Sequence, residues 1–167
     1  MPIRNLWSLK PGECIVAEEI MKNLRRMQVY FPIYDVGIDL LIVKRSKHVW
    51  IQVKQSRYYT GHVWKSGHEG HSWHQIKKKL LEKSGRADFY VFLTYLPSIG
   101  RHRISRFENR FLIVPTEELR RRAKIKDAGK PGVYSFCFHF EDKRVRDERI
   151  TVEINDERAD YSQFLEA

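Results

Sequence analysis

The sequence has little cysteine, no long apolar run and no low-complexity stretch, and each absence removes a class of protein. Two cysteines, Cys14 and Cys137, stand far apart among 167 residues. That is too few for a disulfide framework, and both read as buried thiols in apolar surroundings. No apolar run approaches the roughly 20 residues of a membrane-spanning helix, and no charged stretch followed by an apolar h-region marks a secretory leader. The expectation is an intracellular, cytoplasmic protein that does not enter a membrane. No repeat or biased linker divides the chain, so residues 1–167 read as a single domain, long enough for a real core.

What is present is apolar and basic. Hydrophobic residues make up 42% and aromatics 13%, which argues for a packed globule rather than disorder. Lys and Arg number 31 against 21 Asp and Glu, a formal charge of +10. A polyanion is the natural partner of such a balance; DNA is the leading one and RNA stays open.

Local patterns order the elements. Pro11-Gly12 breaks the start, and a helix is expected over 13–27, with Ala17, Ile20, Met21, Leu24 and Met27 at helical spacing. A strand is expected over 29–33. A hairpin follows, with 34–43 and 49–54 as apolar runs around the turn Lys44-Arg45-Ser46-Lys47. Residues 56–71 read as a polar, Gly-containing loop, and 72–83 as a second helix ended by Ser84-Gly85. Strands are expected over 89–95, 111–114, 133–140 and 150–154, with a short helix capped by Thr116. The fold class that satisfies this order is α+β: a central mixed β-sheet with helices packed on it.

The hairpin carries the chemistry. Asp39 lies inside an apolar strand run, where a charge needs a partner or a metal. On the returning strand, side chains alternate, so Gln52 and Lys54 point one way and Ile51 and Val53 the other. A carboxylate and a carboxamide oxygen can hold a hard cation, and an adjacent lysine can orient a water and offset charge on a phosphorane.

These residues resemble the PD-(D/E)XK, or restriction-endonuclease-like, nuclease superfamily, whose signature is an acid on one strand and (D/E)-x-K on the next. Asp39 matches the first position and Lys54 the last, and Gln52 departs from the usual acid, giving a Gln-x-Lys form. The resemblance covers roughly the first two-thirds of the chain. It implies an αβββαβ core, a metal-dependent endonuclease that hydrolyses DNA phosphodiester bonds, and Mg²⁺ or Mn²⁺ bound by Asp39 and Gln52. It also implies an acid from the first helix. Among Glu13, Glu18 and Glu19, Glu13 is favoured for that role, with Glu18 in reserve, because residues 13, 17, 20 and 24 share the stripe that faces the sheet. The resemblance further marks Ser56, two residues past Lys54, and Gln75 as positions near phosphate or DNA.

Around this site the sequence is basic and aromatic. Arg57, Tyr59, Lys65 and His74 are candidates for meeting phosphates and stacking on bases, with Tyr58, Trp64 and Trp73 beside them. Arg101 and Arg103 lead a second basic cluster with Arg106 and Arg110, and Arg120, Arg121, Arg122, Lys124 and Lys126 form a third. A duplex needs two cuts for a double-strand break, which suits a homodimer. Two other readings remain: a non-cleaving nucleic-acid-binding module of the same fold, supported by Gln52, and a zinc-stabilised RNA-binding protein built on His68, His71 and His74.

Overall fold

The structure is a computed structural model and describes residues 9–24, 26–34, 37–63, 69–82, 86–99, 104–125, 132–140, 144–147, 152–155 and 164. Helix α1 (Pro11–Asn23) starts with proline in its first turn, where the missing N–H costs nothing. Its buried stripe is Glu13, Val16, Ala17 and Ile20. Strands β1 (Gln28–Tyr30), β2 (Leu40–Lys44) and β3 (Lys47–Val63) form an antiparallel meander, and Arg45, at φ +56°, turns β2 into β3. Then come β4 (Glu69–Lys77), α2 (Lys78–Glu82), β5 (Phe89–Ile99), β6 (Ile104–Pro115), α3 (Thr116–Ile125), β7 (Val133–Phe140), β8 (Arg144–Asp147) and β9 (Val152–Asn155).

The long strand β3 belongs to two sheets. Its first part lies between β2 and β5, giving the order β1-β2-β3-β5-β6; β5 runs parallel to β3 and the other pairs are antiparallel. Its last part pairs with β4, which leads on to β7, β8 and β9. The expected central mixed sheet is therefore present. The order α1-β1-β2-β3-α2-β5 gives the αβββαβ core, with β4 added before the crossover helix.

Alternation along the strands divides the core. Leu40, Ile42, Ile51, Val53, Val91 and Leu93 meet Val16, Ala17 and Ile20 of α1 on one face. Phe92, Leu112 and Val114 meet Phe136, Phe138, Leu81 and Leu119 on the other. Phe164 joins the first core against Phe89, with ring centroids 5.1 Å apart.

Several expectations are corrected. Residues 56–71 are not a loop: β3 continues to Val63 and β4 begins at Glu69. The helix expected over 72–83 is strand to Lys77, and only Lys78–Glu82 is helical. The reason is period: Ser72, His74 and Ile76 are buried while Trp73, Gln75 and Lys77 are exposed, a two-residue alternation fixed by pairing with β7. Helix α1 stops at Asn23, β1 is three residues long, and β8 is an additional strand. Cys137 is buried but Cys14 is exposed on α1. Among the described residues, no helix is long and apolar enough to cross a membrane.

Candidate active site

The hairpin brings its three marked residues together. Leu40 sits opposite Ile51, so Asp39 falls beside Gln52 on the face away from α1. Both are nearly buried, Asp39 at 8% and Gln52 at 6% exposure. Asp39 Oδ2 accepts from the Val53 backbone N–H at 2.8 Å and from Gln52 Nε2 in a short hydrogen bond. The Asp39 N–H donates to the Ile51 carbonyl at 2.9 Å. The carboxylate is thus fixed by the strand it faces. Gln52 Oε1 turns toward Gly37, which stands at φ +77°, a conformation that favours glycine; a Cβ built there would lie 3.9 Å from that oxygen.

Lys54 follows on the same face, half-buried, at the mouth of a cleft of about 170 Å³ lined by Lys54, Gln55, Trp73, His74 and Gln75. In register along this face stand the pairs Gln52–Tyr90, Lys54–Phe92 and Ser56–Thr94. Tyr90 keeps its proton: burial pushes its phenol up to about 12, Arg120 opposes this, and the negative charge of Asp39 adds to it. The Thr94 hydroxyl is fully buried with no hydrogen-bond partner among the described residues.

His74 forms the cleft's inner wall and not its surface. Its ring packs edge-on to Phe92 at 4.9 Å, and Nε2 lies 3.2 Å from Ser72 Oγ. Burial first, then the Lys54 charge, pulls its pKa down to about 3, so the imidazole is neutral at ordinary pH. Its Nδ1 is buried without a hydrogen-bond partner among the described residues.

Glu13 is buried at 2% in the first turn of α1. The adjacent Gly12 N–H donates to Gln55 Oε1 at 3.0 Å. The start of α1 is therefore seated on the residue next to Lys54, though Gln55 points to the α1 face and Lys54 to the other. Ser56 Oγ donates to the Arg57 carbonyl at 2.9 Å and accepts from the Trp73 N–H at 3.3 Å, stitching β3 to β4. The Arg57 guanidinium lies 4.9 Å over the Tyr59 ring, and Tyr59 stacks on His71 at 5.7 Å. Gln75 is exposed on β4, not on a helix as expected.

Lys65, Arg101 and Arg103 lie outside the described residues, as does His68. The zinc arrangement fails for its other two members. His71 and His74 are three apart on a strand, so they point to opposite faces. Among the described residues no group of three or more His, Cys, Asp or Glu could hold a metal. In the third basic cluster the arginines are paired within the fold, Lys124 is exposed, and Lys126 lies outside the described residues. Arg120 donates to the Leu81 carbonyl at 2.7 Å and pairs with Glu117, while Arg121 and Arg122 bind Glu118 at 2.8 and 2.7 Å.

Sequence reasoning passed over Tyr90 and Thr94. Their strand is apolar throughout, and only its register with β3 places them beside Gln52 and Ser56.

No family model matches the sequence. No curated protein matches it. Among solved structures, the chain is similar to the bacterial homing endonuclease I-Ssp6803I at 14% identity, over 79% of this chain and 73% of that one, with a TM-score of 0.41. At that score the likeness carries no argument about this chain's chemistry.

Proposed function

We propose that this chain is a metal-dependent endonuclease of the PD-(D/E)XK type that hydrolyses DNA phosphodiester bonds. The observation that carries the reading is the contact of Asp39 with Gln52 across the hairpin, with Lys54 two residues further along the same face of β3 and lining a cleft. The donor types suit a hard cation, a carboxylate and a carboxamide, both on nearly buried residues, once the Gln52 amide turns its oxygen from Gly37 toward Asp39. Asp39 and Gln52 would hold Mg²⁺ or Mn²⁺, with Glu13 as a further acid. When bound, the metal supplies charge stabilisation at phosphorus and a more acidic water. Lys54 orients the attacking water and offsets negative charge on the phosphoryl oxygens. Arg57 and Gln75, exposed on β3 and β4, and the half-buried Tyr59 would meet the nucleic acid. A homodimer would supply the second cut.

One observation favours the non-cleaving alternative. Gln52 Nε2 already satisfies Asp39, so the pair is stable with no cation. Gln52→Glu separates the two readings. It places two carboxylates in contact, which repel unless a cation or a proton joins them. An active site gives a variant that melts lower than wild type in EDTA, recovers in Mn²⁺, and cleaves a labelled duplex. A variant whose melting ignores Mn²⁺ and that leaves the duplex whole points to a binding module.

A further inference from the structure

The β3–β5 ladder ends at Arg57 and Tyr95, three residues past Lys54. Both strands continue. β3 runs on to Val63 with β4 as its antiparallel partner, through the pairs Tyr58–Ser72, Tyr59–His71 and Val63–Glu69. β5 runs on to Ile99 with β6, through Leu96–Glu108, Pro97–Phe107 and Ser98–Arg106. Because β3 and β5 are parallel, the two ribbons leave the sheet in the same direction. The candidate active site sits at their fork.

The outer side of the first ribbon is built for contact. Arg57, Tyr59 and His71 form a cation–aromatic stack. Trp73 is 41% exposed, and Gln75 stands beyond it. By register Arg57, Tyr59, His71 and Trp73 share the face of Gln55 and not that of Lys54, and the strip meets the site only at the cleft that Lys54, Gln55, Trp73, His74 and Gln75 line together. Glutamine, histidine and arginine can hydrogen-bond base edges and phosphates, and the chain's charge of +10 suits a polyanion.

We propose that the β3–β4 ribbon enters the major groove of duplex DNA and sets the duplex across the fork, with the phosphate to be cut over Lys54. The inference rests on the nuclease reading for its choice of DNA. Two strands about 5 Å apart, with their side chains, suit a groove about 12 Å wide. The six residues from 58 to 63 reach about 20 Å, enough to follow the groove. An A-form RNA duplex, whose major groove is deep and narrow, excludes the ribbon.

The test is fluorescence anisotropy of the full chain with a 30-base-pair random-sequence duplex (a length spanning about three helical turns), in EDTA so that no cleavage contributes. Arg57→Ala is expected to weaken binding several-fold and to reduce the slope of log affinity against log salt by about one. Trp73→Ala weakens binding several-fold without changing the slope. Methyl green, a major-groove ligand, displaces the protein, netropsin in the minor groove does not, and duplex RNA binds about tenfold more weakly or worse. Arg57→Lys should restore the slope, which a merely misfolded variant would not. Wild-type affinity in both alanine variants, or equal affinity for duplex RNA, overturns the ribbon. Failure of the nuclease reading shows separately, as an intact duplex in Mn²⁺ despite ribbon-dependent binding in EDTA.

Discussion

Asp39 keeps its place through the Val53 N–H and the Gln52 amide, so removing its charge need not remove its geometry. Asp39→Asn can still accept from Val53, and it should fold while losing Mn²⁺ affinity in calorimetry and at least about a hundredfold in cleavage. Unchanged Mn²⁺ binding would take Asp39 out of the metal site. His74 gives a pH prediction. Its folded pKa of about 3 lies below the ordinary 6.5, so the unfolded chain binds the extra proton between those values. Stability is therefore complete above pH 6.5 and declines as pH falls toward 3, by a few kcal/mol at most. In urea melts from pH 7 to 4, His74→Phe should fall less steeply than wild type; parallel curves would show that the buried imidazole does not drive the decline. The sequence showed Asp39, Gln52 and Lys54 because a short turn and two apolar runs set the hairpin register. It hid the burial of His74, whose surroundings come from β5 and β7, 18 and more residues away.

β4 is the element the sequence concealed. Its inward residues are Ser72, His74 and Ile76, so two of three are polar and no hydrophobic alternation shows. β8 was hidden in the same way, with Val145 alone among charged neighbours. β2, β3, β5 and β7 were legible from dense Val, Ile, Leu and Phe. The β3–β4 ribbon depends on Gly70, at φ +86°, where a Cβ would lie 2.5 Å from the Tyr58 ring and 2.7 Å from the Tyr59 carbonyl. Gly70→Ala should destabilise the chain by about 1–3 kcal/mol and disturb the ribbon while leaving the Asp39–Gln52 hairpin folded. Thermal melting and duplex-binding anisotropy check this; an unchanged melt with full binding would remove the structural role given to Gly70.

Across the whole molecule, β3 ties two sheets and two cores together, in a chain whose formal charge is +10. Phe164 closes the α1-side core from the far end of the chain. Phe164→Ala should cost about 3–5 kcal/mol in chemical denaturation, and a loss under 1 kcal/mol would mean that this docking is not part of the folded unit. Composition indicated the basic surface but not its distribution, because the α3 arginines that look available in sequence are paired with Glu117 and Glu118. The most direct measurement is incubation of supercoiled plasmid with the purified chain in Mg²⁺ or Mn²⁺, beside EDTA and Lys54→Ala. Nicked and linear plasmid is expected with metal, none in EDTA, and a rate at least about a hundredfold lower in Lys54→Ala. Cleavage that survives Lys54→Ala, or intact plasmid with either metal although the protein binds it, would contradict a nuclease centred on Asp39, Gln52 and Lys54.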